Sequence, residues 1–88
     1  RYEVNSVMTS KHHSFPLSNV KEGSRVRVVE ITGGRGLTRR LMEIGILPGT
    51  EIEVVKNNFP GPVIIKNETI GSICIGYGMA SKIIVEVV

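Results

Sequence analysis

From Leu17 to Val88, short runs of β-branched residues are broken by Gly, Pro and Asn at intervals of about ten residues. Strands this short cannot stand alone, and 88 residues cannot build two cores from them. Surface scaling at this mass buries about 63% of the area that the unfolded chain exposes, which is enough for one modest core. The same side chains cannot also wall a deep pocket, so an enzyme with an enclosed active site is not expected. No apolar run approaches the roughly 18 residues of a membrane-spanning helix, so insertion in a bilayer is not expected either.

Arg25-Val26-Arg27-Val28-Val29-Glu30-Ile31 reads as the first strand. Val26 and Val28 share one face while Val29 and Ile31 share the other. The apolar side switches, so the pattern predicts a β-bulge or sharp bend near Val28–Val29. Thr32-Gly33-Gly34-Arg35-Gly36 is a loop, after which the period changes. Leu37, Leu41 and Ile44 stand at i, i+4 and i+7 and predict one face of a short helix. Thr38 is placed to cap its start, Gly45 suits the left-handed position after its last turn, and Pro48 blocks continuation.

Pro48-Gly49 suits the centre of a type II turn. Glu51 to Lys56 follows as a strand with Ile52 and Val54 inward, and Asn57 to Pro62 is a second loop. Val63 to Lys66 and Thr69 to Ile75 form a hairpin across Asn67-Glu68, with Asn67 expected at positive φ. In its second arm Ile73 and Ile75 share a face opposite Cys74. Met79 to Lys82 makes one helical turn, and Ile83 to Val88 closes the domain with Ile83, Val85 and Val87 inward.

The reading is therefore mainly β: a small SH3-like barrel of five antiparallel strands, with one short helix after the first strand and a helical turn before the last. Closure suits such strands because it removes exposed edges. An OB-type barrel is the alternative, although its helix usually follows the third strand. The domain is expected over residues 17–88. Residues 1–16 lack periodicity and are read as a disordered tail. Met8 is the first methionine, so residues 1–7 are read as an expression remnant.

The chemistry of the chain is sparse. Its single cysteine, Cys74, excludes an internal disulfide and any multi-cysteine metal site, and fits a reducing compartment. As a nucleophile Cys74 would need a base, but the only histidines, His12 and His13, stand in the expected tail. Glu51 and Glu53 share a strand face that alternates with Ile52 and Val54, which a solvated outer face explains. Adjacent histidines rarely bind one metal together, so no intrinsic metal site, cofactor or catalytic residue is expected. Gly33-Gly34-Arg35-Gly36 before a helix superficially suggests an anion site. It lacks both the Lys-Ser/Thr of a P-loop and the glycine spacing of a dinucleotide fold.

The net charge of +3 is mild. Arg25, Arg27, Arg35, Arg39 and Arg40 could form a basic face. Residues 17–88 nevertheless hold nine basic and seven acidic residues, a net of +2, and a two-turn helix is short for groove reading. Nucleic acid is not expected as a partner.

One ordered set of residues carries more. It comprises Leu37 to Thr50, Ile52-Glu53-Val54-Val55, Gly61-Pro62-Val63-Ile64-Ile65, Ile73-Cys74-Ile75 and Ala80-Ser81-Lys82-Ile83-Ile84-Val85. With these spacings, Leu17 to Val88 resembles the ferrous iron transport protein A (FeoA) family. Gly76-Tyr77-Gly78 stands where that family usually carries bulkier, often charged residues. The resemblance implies a cytoplasmic SH3-like barrel without enzymatic activity. It would support ferrous iron uptake by contact with a membrane ferrous iron transporter that carries a G domain (FeoB), at the transporter's cytosolic side.

The alternative is an SH3-like regulatory domain related to iron-dependent transcriptional repressors, binding metal or acting in regulation. In those proteins the domain follows DNA-binding and dimerisation domains, for which 88 residues leave no room. A barrel that acts by docking must offer groups its fold does not need. Arg39 and Arg40 face away from the helix stripe, Arg35 stands in the glycine loop, and Phe59 stands in a Pro/Gly loop. These four are the candidate partner-binding residues. Under the competing reading the arginines are merely solvated and Phe59 lids one end of the barrel. Ile84 and Val88, on the outer side of the last strand, are the next candidates for docking or self-association.

Overall fold

The computed structural model describes residues 14–88. Six antiparallel strands form one sheet: β1 (Ser14–Pro16), β2 (Arg25–Ile31), β3 (Glu51–Asn57), β4 (Val63–Asn67), β5 (Gly71–Ile75) and β6 (Ile83–Val87). They lie in the order β1-β6-β2-β3-β4-β5, so the last strand of the domain is an interior one. Helix α1 (Gly34–Glu43) follows β2, and the one-turn α2 (Tyr77–Ala80) precedes β6. A 3-10 turn over Leu17–Asn19 links β1 to the loop before β2.

The sheet has one strand more than the five expected. The addition is β1, taken from the segment read as a tail. Ser14, Phe15 and Pro16 pair with Glu86, Val85 and Ile84, and Phe15 packs against the core. Three residues ending in proline are too few to show a period, but β6 offers them a free ladder. The described fold thus includes Ser14–Pro16, ahead of the expected boundary at Leu17. The remainder of the tail reading, including residues 1–7, lies outside the described residues.

β2 bends where its apolar faces switch. Its register against β6 slips between Val28 and Glu30. Val26 and Val28 are buried, Val29 turns outward, and Ile31 returns to the rim of the core. β3 makes a second slip against β4, between Val54 and Lys56, and leaves Val55 exposed. The two bends let one sheet enclose Val26, Val28, Ile52, Val54, Val63, Ile65, Ile75, Ile83 and Val85, with Leu17, Val20, Leu41, Ile46 and Ala80 completing the same cluster. On the outer face the Arg27 guanidinium donates to Glu86 at 3.0 Å and to Glu51 at 3.2 Å, tying β6, β2 and β3 side by side. Those hydrogen bonds, Glu86 first, raise the Arg27 pKa above its ordinary value.

Helix α1 forms where the period predicts but begins and ends differently. Gly33 is its N-cap, and no side chain caps it. Thr38 lies inside the helix, and its Oγ1 donates to the Gly34 carbonyl at 2.8 Å. At the other end Gly45 takes φ +101°. Its N–H donates to the Met42 carbonyl at 3.0 Å, and the Ile46 N–H donates to the Leu41 carbonyl at 2.8 Å. This pair of bonds is a Schellman stop. It ends the helix before Ile44, which is 44% exposed, and swings Ile46 into the core instead. Leu37, Leu41 and Ile46 therefore make the docked face, not Leu37, Leu41 and Ile44.

The Leu47–Thr50 turn closes with the Thr50 N–H on the Leu47 carbonyl at 3.0 Å and Gly49 at φ +97°, as its Pro-Gly pair predicts. In the β4–β5 hairpin Asn67 stays in the ladder opposite Gly71. Its Oδ1 accepts the N–H groups of Thr69 and Ile70, and Gly71 carries a positive φ. The helical turn before β6 starts two residues earlier than expected, at Tyr77. Val87, expected inward, lies in the last pair of the β2–β6 ladder and is 61% exposed.

Two stability predictions follow from the helix and its stop. Leu41→Ala should cost about 2–5 kcal/mol because its side chain is fully buried, whereas Ile44→Ala should change stability by less than about 1 kcal/mol. Urea denaturation of both variants checks the contrast. Gly45→Ala should destabilise by more than about 1 kcal/mol, since its backbone is left-handed and a Cβ there would sit 2.6 Å from Ile70 Cγ2. A thermal midpoint at or above wild type would contradict the tight stop.

Candidate functional site

Helix α1 lies over the end of β2 and leaves an open cleft of about 820 Å³ beside it. Its floor is apolar, formed by Ile31 at the end of β2 and Met42 on α1. Arg35, Arg39 and Glu43 line it as well, with Glu43 next to Met42 at the C-terminal end of α1. Residues 35, 39 and 42 follow the i, i+4, i+7 spacing that puts side chains on one helical face. Gly34 and Gly36 bring bare backbone to the same cleft, and the Thr38 hydroxyl that borders it is already spent on Gly34.

The four candidate residues do not form one site. Arg35 and Arg39 come together on the cleft, and both are exposed. Arg40 is exposed on α1 but does not line the cleft. Among the described residues, no carboxylate pairs with Arg35, Arg39 or Arg40, since the ion pairs there belong to Arg27. Phe59 lies elsewhere. It is 57% exposed, so it does not lid the barrel. Its ring meets the Tyr77 ring edge to face, with centroids 5.5 Å apart. The contact joins the 58–62 loop to α2.

Sequence reasoning passed over Ile31 and Met42 as parts of a surface, and Tyr77 as the partner of Phe59. Met42 carried a usable signal: it is an apolar residue off the Leu37–Leu41 stripe, at the spacing of Arg35 and Arg39. Tyr77 carried none, because nothing in the local pattern brings α2 to the 58–62 loop.

The remaining candidates stand on the surface of the sheet. Cys74 is exposed on β5, opposite Ile64. Glu51 receives Arg27, and Glu53 lies across from Arg25 and Lys66 on the outer ladder. Among the described residues no three His, Cys, Asp or Glu side chains gather in a way that could hold a metal ion. His12 and His13 lie outside the described residues. No described helix is long and apolar enough to cross a membrane.

A curled antiparallel sheet with one docked helix after its first long strand is an SH3-like domain, here carrying a cationic, apolar-floored cleft. Residues 15–87 match the FeoA domain family. An Fe(2+) transport protein A from Methanocaldococcus jannaschii is 43% identical over 72 residues, covering 82% of this chain and 85% of that protein. The crystal structure of an iron uptake regulatory protein (FeoA) superposes with a TM-score of 0.74 at 32% identity, over 85% of this chain and 97% of that one. A FeoA-like protein from Clostridium acetobutylicum gives 0.73 at 29% identity, over 85% and 87% of the two chains. The chain belongs to the FeoA family. A manganese-dependent transcriptional repressor gives a TM-score of 0.76 at 19% identity, over 86% of this chain and 37% of the repressor, a likeness of fold alone.

The scattered donors set an expectation for metal. The His12→Ala/His13→Ala chain, titrated anaerobically with Fe²⁺ in a calorimeter, should show no one-site binding in the low micromolar range. Tighter one-site binding would place ligands on the barrel, and Cys74 with its nearest glutamate would be the first to test.

Proposed function

We propose that this chain is a small accessory protein of ferrous iron uptake that acts in the cytoplasm by protein–protein contact with an FeoB-type membrane transporter, at the transporter's cytosolic side. Membership of the FeoA family supplies the pathway, and the name of the M. jannaschii relative agrees with it. The observation that carries the contact is the exposed α1 face. Arg35 and Arg39 stand there without carboxylate partners among the described residues, lining a partly apolar cleft that the fold leaves open, and Arg40 is exposed elsewhere on the same helix. The chain's own role is to bind and orient. Iron is the cargo of the pathway, and no step of bond making is assigned to the barrel.

Exposed arginines facing an acidic patch speed encounter, and salt weakens their effect within the Debye length, about 8–10 Å at ordinary ionic strength. The combined Arg35→Ser, Arg39→Ser and Arg40→Ser variant should keep its fold, since all three side chains are exposed. It should bind the transporter's cytosolic region at least about tenfold more weakly at low salt. Its affinity should also vary less between two ionic strengths than that of wild type. Surface plasmon resonance at both salt concentrations, with circular dichroism as the fold control, checks this. Unchanged affinity and unchanged salt dependence would remove the α1 face from the proposal.

A further inference from the structure

Resting on that reading, we infer that the cleft between α1 and the end of β2 seats a short acidic segment of the partner, with one apolar side chain on the Ile31–Met42 floor and carboxylates against Arg35 and Arg39. Three features of the cleft specify this ligand together. The floor is apolar and open to solvent, with Met42 52% exposed although it is a large hydrophobic residue. The lining carries two guanidinium groups that form no ion pair with a described carboxylate and one carboxylate, Glu43, so its net charge is positive and a carboxylate arriving at Arg35 and Arg39 meets an attractive field. Gly36 carries no side chain, and a Cβ built there meets nothing within 4 Å, so main chain from a partner can approach the helix closely.

The cleft also has a direction. Glu43 stands at the Met42 end, and Arg35 stands about two helical turns away, roughly 10 Å along the axis. Carboxylates of the bound segment belong at the Arg35–Arg39 end, and its apolar residue lies toward Met42. That length fits two to three residues of extended chain. A basic segment is repelled by the lining, and a wholly apolar one leaves both guanidinium groups without a counter-charge. Met42 supplies an adaptable surface that tolerates more than one apolar side chain.

The test uses the full chain labelled with ¹⁵N and a synthetic acidic peptide of one leucine with aspartates on one side of it. A second peptide replaces every aspartate by lysine. Amide shifts with the acidic peptide should centre on Ile31, Gly36, Arg39 and Met42, and the lysine peptide should give none there. Gly36→Leu fills the cleft from a position with free space, and Met42→Glu places a carboxylate on the floor. Each should weaken the acidic peptide at least about tenfold. Val55→Ser, on the exposed bulge of β3, should stay within about twofold. If no cleft amide shifts, or if Gly36→Leu and Met42→Glu bind like wild type, the inference fails. Sedimentation with phosphatidylcholine vesicles containing one-third phosphatidylglycerol, without cleft shifts by the peptide, would overturn it in favour of a lipid surface.

The transporter's cytosolic region separates this inference from the reading beneath it. If wild type and both cleft variants bind that region equally, the docking function stands and the cleft assignment falls. If the acidic peptide occupies the cleft but the region does not bind wild type, the cleft stands and the transporter is the wrong partner.

Discussion

One sheet can wrap one core only where its strands bend, and the register slips in β2 and β3 supply the bends. Each slip turns a valine, Val29 or Val55, out to solvent and lets the rest of its strand keep an inward row. Without them the pleat would carry one strand's apolar set off the core. The curvature also leaves the end of β2 projecting beside α1, so Ile31 reaches the rim of the core and the floor of the cleft at once. Outside, Arg27 links Glu86 and Glu51 across three strands. These pairs are partly exposed and weak by themselves, but they favour only one alignment of β6, β2 and β3.

The legible parts of the fold were those set by local chemistry. The bend in β2 showed as a switch of apolar faces, and Gly45 and Pro48-Gly49 marked the helix stop and the following turn. What escaped depended on the chain's path after a local signal. Ile44 has the right spacing for the helix stripe, but the Schellman stop removes it from the helix and gives its place to Ile46. β1 is too short to show a period and becomes a strand only because β6 is beside it. Asn67 looked fit for positive φ, yet its side-chain amide does more by bonding two N–H groups of the turn.

The site divides in the same way. Arg35 and Arg39 were legible because charged residues off a helix stripe must face outward, and helical spacing then makes them neighbours. The apolar part of the cleft was not legible, since strand alternation puts Ile31 opposite Val26 and Val28, and nothing local sets it beside α1. Phe59 was legible as a residue the core does not claim. Its place was not, because the Phe59–Tyr77 contact joins segments that no local rule brings together. It forms a second exposed feature, distinct from the α1 cleft.

The interior position of β6 bears on how the protein is made. β1 and β2 are synthesised early and are not bonded to each other; the strand that belongs between them comes last. Arg27 must wait 59 residues for Glu86, and the ribosome holds back the final stretch of a nascent chain until synthesis moves on. Closing so long a loop carries an entropic cost before the pairing can repay it. The sheet therefore cannot complete cotranslationally until β6 has left the exit tunnel. Until then β2 lacks its neighbour on that side, its unpaired edge open to other extended chain, and Ser14–Pro16 has no ladder to join.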